Sequence, residues 1–286
     1  MDLSSYAAPL PPRQSAVTRR LAFAVGALFV SGVIAAAVAL LGIAERLDSE
    51  EVNKTRFYSA RALENRITAA KNYITSYAYW TTAYEHLSGE VDTDWAYTEQ
   101  NLGKTLFTSD GYDGVFVLNR EGTRYAVVRG QMVDAELSAF VQVSATELLD
   151  QVLGQGDLTK PVSRYSLFEG WPALVSTAAI IPNDERPLGD PQTSSVLVFV
   201  DKLTPTKLRL IGSGYGLSNL TLAPDETLEH DRPRVPLDST GYSLIADLER
   251  PGQHLLWSLL PPLGATIVVL MLLTAYFFRH ALRSSQ

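Results

Sequence analysis

The chain has 286 residues, a formal net charge of −7 and no cysteine. The absence of cysteine excludes disulfide bonds, a cysteine nucleophile and a thiolate metal site. A negative net charge is unfavourable for binding nucleic acid, whose phosphate backbone attracts basic surfaces. We therefore expect no nucleic-acid partner.

Two uncharged segments of 24 residues, 21–44 and 255–278, lie near the two ends of the chain. An α-helix rises 1.5 Å per residue, so each segment would be about 36 Å long and would cross a hydrocarbon core of about 30 Å. We predict that both are transmembrane helices. The alternative for the first is a cleaved signal peptide, but its apolar run is longer than the usual 7–15 residues.

Basic residues lie on the terminal side of both apolar segments. Arg13, Arg19 and Arg20 precede the first segment, and Arg279 and Arg283 follow the second. Lys and Arg hold a flanking segment on the cytoplasmic side of the membrane. We therefore predict a multi-pass protein of the bacterial inner membrane with both ends in the cytoplasm.

This topology divides the chain into a cytoplasmic tail (1–20), a periplasmic domain (45–254) and a cytoplasmic stub (279–286), separated by the two membrane helices. Residues 1–44 and 279–286 each contribute +2 to the net charge, so the remainder carries −11. About 210 residues are enough to bury a core without disulfides, which suits a bacterial periplasm.

After the first apolar segment the pattern stays helical, and no Gly or Pro interrupts residues 45–88. We predict one long helix that ends near Gly89, where glycine can adopt the left-handed cap. Apolar residues recur along it in steps of three and four, a heptad seam made of Ala60, Leu63, Ile67, Ala70, Ile74 and Tyr77. The seam predicts a parallel homodimer with Leu63, Ile67 and Ile74 at its centre. The alternative is that this face packs within the subunit.

The remainder alternates between strand and helix patterns. Strands are predicted within 112–119, 123–130, 164–182, 194–202, 217–223 and 241–249, and helices at 94–107, 133–156 and 204–216. Residues 225–236 are charged and contain two prolines, which indicates a surface loop. These elements predict an α+β fold: one periplasmic domain with a long N-terminal helix and a mostly antiparallel sheet.

The order of these motifs resembles that of bacterial transmembrane receptors with a periplasmic CHASE4 sensor domain. Trp80 and Tyr84 match the first and last residues of the family's Trp-Asp-Asp-Thr-Tyr motif, and Tyr97 to Leu102 matches Tyr-x-x-x-Asn-Leu. The run 115–118 leading to Gly122 matches the family's hairpin, and the likeness continues to about residue 225.

The resemblance implies a Cache or PAS-like sensor fold and an attached module that makes or degrades cyclic-di-GMP. No such module is present in these residues. The sequence departs from the family motif, because Thr81 and Thr82 stand where the family has paired aspartates and Ala83 stands where it has threonine. A cation or amine contact made by those aspartates would be lost here.

The stretch 72–87 is rich in aromatic residues, and in a continuous helix Tyr73, Tyr77, Trp80 and Tyr84 share one face. The face has three possible roles: core packing, the wall of a ligand pocket, or a subunit contact. As a ligand-binding site we predict Trp80 and Tyr84, together with Arg124 and Tyr125 of the hairpin. Arg124 would clamp a carboxylate, although a solvent-exposed strand arginine is the simpler explanation.

Three classes of function remain open. The favoured one is a signal receptor that senses a small molecule or envelope cue in the periplasm. The second is a membrane-anchored interaction protein that binds another envelope protein. An anchored hydrolase is the third, but no nucleophile–base pattern is present, so we expect no enzyme activity. The four histidines lack ligand spacing, so we expect neither a metal nor a cofactor.

Pro261 and Pro262 interrupt the second apolar segment near its outer end. In one interpretation the regular helix begins at Pro261, since proline suits the first helical turn. In the other, the prolines form a joint within a longer helix.

Overall fold

The structure is a computed structural model in which residues 13–185, 194–227 and 233–283 are described. The predictions for the first twelve residues, the last three and the centre of the 225–236 loop lie outside the described residues. The chain divides into two units. The sensor unit is Asn53–Leu248, and the membrane unit combines Met1–Val52 with Glu249–Gln286.

The helical elements comprise six α-helices and several single turns within the described residues. The α-helices are α1 (Arg13–Ala78), α2 (Thr81–Leu87), α3 (Lys104–Thr108), α4 (Ala145–Leu153), α5 (Pro205–Gly214) and α6 (Pro251–Arg283). A π-helical turn covers Asp94–Thr98, and 3-10 turns cover Leu137–Ala139, Asp225–Thr227 and Asp238–Thr240.

The strands form two antiparallel sheets. They are β1 (Gly114–Asn119), β2 (Gly122–Val128), β3 (Gln131–Met132), β4 (Val162–Phe168), β5 (Trp171–Ala179), β6 (Val196–Lys202), β7 (Thr221–Pro224), β8 (Arg234–Pro236) and β9 (Tyr242–Ile245). The large sheet has the order β3-β2-β1-β6-β5-β4, and the small one β7-β9-β8. The predicted α+β fold with a mostly antiparallel sheet is confirmed.

Both faces of the large sheet are covered, which explains the nearly continuous apolar runs of its central strands. On one face, Phe116 and Val198 pack with Leu148 and Val152 of α4. On the other face, Val117 and Phe199 pack against the end of α1, α2 and the turns that follow. The candidate site lies on this second face.

Three of the six heptad residues of α1 are buried inside the sensor unit, and the other three are half-buried. Leu63 and Ala70 are 5% and 4% exposed and pack with Tyr165 and Leu174 of the sheet. Ile74 is completely buried in the neighbouring apolar cluster. The predicted dimer seam through these residues is therefore wrong, because the apolar stripe binds the sheet of its own chain.

The long predicted helix 45–88 is interrupted. α1 ends at Ala78, Trp80 has extended backbone angles, and α2 begins at Thr81. At the break, Ile181 donates its N–H to the carbonyl of Ala78 (3.0 Å) and forms a parallel bridge with Tyr79. The segment after β5 thus donates to the Ala78 carbonyl, which would accept an N–H of the next turn if the helix continued. Local helix propensity gives no sign of this competing contact.

Three smaller predictions also need correction. The helices predicted at 94–107 and 133–156 each divide into a short turn and a short α-helix. The last strands form a separate sheet, and β8 lies in the predicted loop. The start of α5 is as predicted: Pro205 occupies its first turn, and Thr204 Oγ1 accepts the N–H of Lys207 at 3.3 Å.

The membrane unit contains two helical stretches long and apolar enough to cross a bilayer, within Phe23–Ala78 and Pro251–Tyr276. α6 runs through Pro261 and Pro262, so the interpretation that the helix begins at Pro261 is wrong. The stretches touch where the N–H of Gly252 donates to Asp48 (2.8 Å). A Cβ on Gly252 would stand 2.0 Å from the carbonyl oxygen of Ala44, so only glycine allows this approach.

Candidate functional site

The break between α1 and α2 turns two aromatic side chains onto the helix-covered face of the sheet. Trp80 and Tyr84 are half-buried and pack against the cluster that contains Ile74, Leu197 and Phe199. The break replaces the continuous helical face of the sequence prediction with a turn. The side chains are thereby held by the backbone bridge of Tyr79 as well as by α2.

Trp95 lies at the centre of an aromatic stack. Its ring is 5.5 Å from that of Trp80 and 4.8 Å from the ring of His86, which is parallel to it. Asp92 fixes the imidazole through a 2.9 Å contact with His86 Nδ1. The stack and the Asp92 contact hold the Trp95 and His86 rings in place at the polar edge of the aromatic face.

Several hydrogen-bond donors of this face are not used. Among the described residues, the indole N–H groups of Trp80 and Trp95 and the hydroxyl of Tyr84 have no hydrogen-bond partner, and none of the three is a fully buried orphan. Aromatic walls with a few open donors are the usual makeup of a small-molecule site. The face could therefore bind a ligand that carries acceptor oxygens.

Three of the four predicted ligand residues, Trp80, Tyr84 and Tyr125, come together on this face. The fourth, Arg124, does not. Tyr125 is buried in the same cluster as Trp80 and Tyr84, but its hydroxyl is already engaged, donating to the carbonyl of Leu102 at 3.1 Å. Successive strand residues point to opposite faces, so Arg124 lies on the other side of β2. It is exposed and paired with Glu121 at 3.2 Å.

The turn after α2 holds a carboxylate whose acidity is increased. Asp92 Oδ1 accepts the N–H groups of Trp95 and Asp94, both at 3.1 Å. The hydrogen bond from the Trp95 N–H contributes most to lowering the pKa of Asp92 from its ordinary value. The contact with His86 and the bond from the Asp94 N–H lower it further. Asp92 therefore stays ionised and keeps His86 stacked on Trp95.

Thr81, one of the departures from the family motif, makes a reciprocal pair with Asn183. Its N–H and hydroxyl both bond Asn183 Oδ1, at 3.1 and 2.6 Å, and Asn183 N–H donates back to the Thr81 hydroxyl at 3.1 Å. A hydrogen-bonded pair of uncharged polar residues thus stands where the family has an aspartate. Thr81 is engaged in holding the break and has no spare donor pointed at the aromatic face.

A buried ionic network lies beneath α1, next to the aromatic cluster. Asp201, at the end of β6, is 1% exposed and pairs with Arg66 of α1 and with Lys207 of α5 (2.7 Å). Lys207 also contacts Asp113 at 2.8 Å. Two carboxylates thereby balance two cations, which a buried group of charges requires.

This network was not among the features predicted from the sequence. A carboxylate directly after a buried apolar strand, as in Val200-Asp201, is the signal that could have pointed to it, since such a group must find a cation. The partners come from α1 and α5, 135 and 6 residues away. Only the folded chain shows which cations they are.

The hydroxyl of Tyr165 is buried without a hydrogen-bond partner. The residue is 3% exposed and lies among the leucines between α1 and the sheet. Burial, with the nearby charges of Asp201 and Asp238 adding to it, raises the pKa of Tyr165 well above its usual value. Burial likewise raises the pKa of Tyr73 and Tyr112, which stack on each other with centroids 5.2 Å apart.

No group of three or more His, Asp or Glu side chains suited to hold a metal ion occurs within the described part of the chain.

Comparisons with known proteins place this geometry in a family. The CHASE4 domain model matches residues 62–223 of the chain, from α1 to β7. The matched region contains Trp80, Tyr84, Trp95 and the ionic network. The chain carries the periplasmic sensor domain of a bacterial signalling receptor. It belongs to the CHASE4 family.

No curated protein sequence matches the chain. Among solved structures, the sensory domain of the Campylobacter jejuni chemoreceptor Tlp3 (CcmL) is similar at 9% identity and a TM-score of 0.44, covering 76% of this chain and 98% of that one. The Vibrio cholerae LuxQ periplasmic domain is similar in two structures, at 14% and 15% identity and TM-scores of 0.35 and 0.29. These cover 75% and 73% of this chain and 99% of each structure. All three scores are below 0.5, so the family assignment rests on the sequence match.

Proposed function

We propose that this chain is the sensing and membrane-spanning part of an inner-membrane receptor that binds a small molecule at the aromatic face formed by Trp80, Tyr84 and Trp95. The observation that carries the proposal is the break in α1. It holds two aromatic rings at the edge of the core and leaves their donors without partners among the described residues. The Tyr125 ring packs in the apolar cluster beneath this face, and Arg124 is not part of the proposed site.

The ligand signal would leave the sensor unit through α1. This helix packs on the sheet with Leu63, Ala70 and Ile74, and Arg66 ties it to buried Asp201. A ligand that moves the break at Tyr79 and Trp80 acts directly on the end of the same helix. Pulling Arg66 away from Asp201 would break one of the two ion pairs of a buried carboxylate and leave only Lys207 as its partner, so the helix and the sheet should move together rather than slide.

The output that we propose is a cytoplasmic module that synthesises or degrades cyclic-di-GMP, and this chain itself has no catalytic role. The support for the output is the family resemblance. The arginines on the terminal side of both apolar stretches support a topology with both ends in the cytoplasm. Such ends are where an output module would have to be attached.

Tryptophan fluorescence tests the site directly, because the chain has only four tryptophans. The full chain in lipid nanodiscs is titrated with a panel of amino acids, organic acids, amines and sugars. We expect one class to change the emission with saturable binding. Tyr84→Phe, which deletes only a hydroxyl, should weaken that binding roughly tenfold, as expected for loss of a buried hydrogen bond of about 1.4 kcal/mol. Trp80→Phe deletes the indole N–H together with the five-membered ring and should weaken it at least as much, read from the emission of the three remaining tryptophans.

Arg124→Gln serves as the matched control, since Arg124 lies on the opposite face of the sheet. Unchanged binding in this variant supports the aromatic face. Binding that depends on Arg124 and not on Trp80 and Tyr84 would contradict the proposed site.

Binding of another envelope protein is a second candidate function. It is favoured by the exposed aromatic pair Phe57 and Tyr58 on α1, which are 65% and 38% exposed with ring centroids 5.5 Å apart. Exposed aromatic side chains of this kind are enriched at protein interfaces. Replacing both with serine should abolish partner capture and leave the small-molecule titration unchanged.

A further inference from the structure

A crevice of about 480 Å³ lies between α1 and α6 in the membrane unit. Its lining comes from both helices and is apolar except for Thr274 and Arg279: Gly26, Phe29, Val30, Met271, Thr274, Ala275 and Arg279. The Thr274 hydroxyl is engaged with the carbonyl of Leu270 at 2.7 Å, so Arg279 supplies the open polar group. The volume is in the range of about 300–1,000 Å³ that holds small ligands.

Arg279 has no carboxylate partner among the described residues. The surrounding sequence offers none either, because residues 13–44 and 255–283 contain no Asp or Glu. Arg20, six residues or about 9 Å of helix from Gly26, is the nearest basic residue of α1 and does not line the crevice. An apolar trough that ends at the guanidinium group of Arg279 matches a molecule with an acyl chain and an anionic head.

We propose that this crevice binds an anionic phospholipid, with an acyl chain along Gly26 and Val30 and the phosphate at Arg279. The inference rests on the proposed membrane insertion. Arginine binds phosphate through two parallel hydrogen bonds, and basic pockets between membrane helices are typical sites for anionic head groups. Gly26 makes room for the chain, since an added Cβ there meets nothing within 4 Å.

A second copy of the chain is a less favourable occupant of the crevice. The α1 and α6 stretches of another subunit would bring further arginines to the basic end and no carboxylate to neutralise them. Like charges brought together in a low-dielectric setting repel strongly. Charge complementarity therefore selects a phosphate rather than another subunit.

The test measures lipid retained by the full chain. The protein is equilibrated in nanodiscs of phosphatidylcholine and phosphatidylglycerol at a four to one ratio, extracted gently, and analysed by native mass spectrometry. We expect phosphatidylglycerol to be enriched over its share of the bilayer. Arg279→Gln should lower that enrichment roughly fivefold, and Gly26→Leu should lower retention of both lipids by filling the trough.

Two matched controls separate the crevice from general surface charge. Arg20→Gln removes an exposed arginine at the same end that does not line the crevice, and Gly32→Leu adds the same bulk at a glycine that also has open space and lies outside the lining. Both should retain phosphatidylglycerol nearly as the unmodified chain does.

Three results would overturn the inference: no enrichment, equal losses in Arg279→Gln and Arg20→Gln, or a disulfide between subunits formed by Gly26→Cys with lipid excluded. Carbonate extraction of cell membranes distinguishes this failure from that of the proposed function. A chain that is released by carbonate is not inserted, whereas an inserted chain without enrichment contradicts only the lipid site.

Discussion

At the residue scale, two buried tyrosines differ in a way that stability measurements can resolve. Tyr125 and Tyr165 are 4% and 3% exposed, but only the Tyr125 hydroxyl has a partner. A buried donor left without a partner loses its hydration and gains nothing in return. The two hydroxyls should therefore contribute to stability with opposite signs.

Replacing each tyrosine with phenylalanine tests this. Tyr125→Phe leaves the carbonyl of Leu102 without its donor and should destabilise the sensor unit by about 1 kcal/mol. Tyr165→Phe removes an unpaired hydroxyl and should be neutral or stabilising by up to about 1 kcal/mol. Denaturant unfolding gives both values, and a large loss in Tyr165→Phe would show that its hydroxyl has a partner such as a buried water.

Asp92 predicts a pH dependence of stability. Its pKa is lower in the folded chain than the unfolded value of about 3.9, so its contribution is present above that pH and is lost as the pH falls through the folded pKa. The melting temperatures of the unmodified chain and of Asp92→Asn should differ by a constant amount from pH 5 upward and converge below about pH 4. A difference that persists at low pH would contradict this assignment.

At the scale of elements, the sequence indicated most of the framework and missed its long-range joints. The hairpin β1–β2, the pair β4–β5, β6 and the start of α5 follow from β-branched and aromatic runs, turn residues and the Thr204-Pro205 cap, all of which are local signals. The end of α1 at Ala78 and the pairing of Asp201 with Arg66 depend on contacts more than 100 residues distant in sequence. Local propensity contains no information about such contacts.

The placement of the predicted site residues was foreseeable in part. Trp80 and Tyr84 were predicted from their spacing and from the family motif, and both lie on the aromatic face, whose ligand remains a proposal. Arg124 lies away from the aromatic face, because the strand alternation that buries Tyr125 puts its neighbour on the other side of the sheet. Trp95 was missed because its contact with Trp80 crosses the turn after α2, whose path no periodicity indicates.

The ionic network should be the most sensitive link between α1 and the sheet. Asp201→Ala leaves Arg66 and Lys207 without their shared carboxylate, and we expect a loss of about 3 kcal/mol, or roughly 6–12 °C in melting temperature. Glu121→Ala breaks the exposed pair with Arg124 and should cost less than about 1 kcal/mol. Equal effects of the two substitutions would show that the network does not hold the helix.

A homodimer remains our prediction, with a different face of α1 as its contact. The heptad residues are used within the chain, whereas Phe57, Arg61 and Glu64 are exposed and recur at steps of four and three. Single cysteines at 57, 61 and 64 should form disulfides between copies, and a cysteine at the buried position 63 should not. Cross-linking at 63 alone would restore the original seam.

At the scale of the whole molecule, the chain combines a sensor domain with two apolar helical stretches, and the aromatic face and the ionic network lie on the same side of one sheet. The domain belongs to the CHASE4 family over residues 62–223. The apolar stretches within α1 and α6 have the length and composition of membrane spans. The receptor that we propose requires one topology, with the sensor unit outside the cell membrane and both ends inside.

The natural absence of cysteine permits a direct test of that topology. Single cysteines are placed at Leu210, which is 69% exposed in the sensor unit, and at Ser5 and Ser285 near the two ends. Bacteria with a permeabilised outer membrane and an intact inner membrane are treated with a membrane-impermeant maleimide. The account predicts labelling at 210 in intact cells and labelling at 5 and 285 only after lysis. Protection of 210, or labelling of either end before lysis, would contradict it.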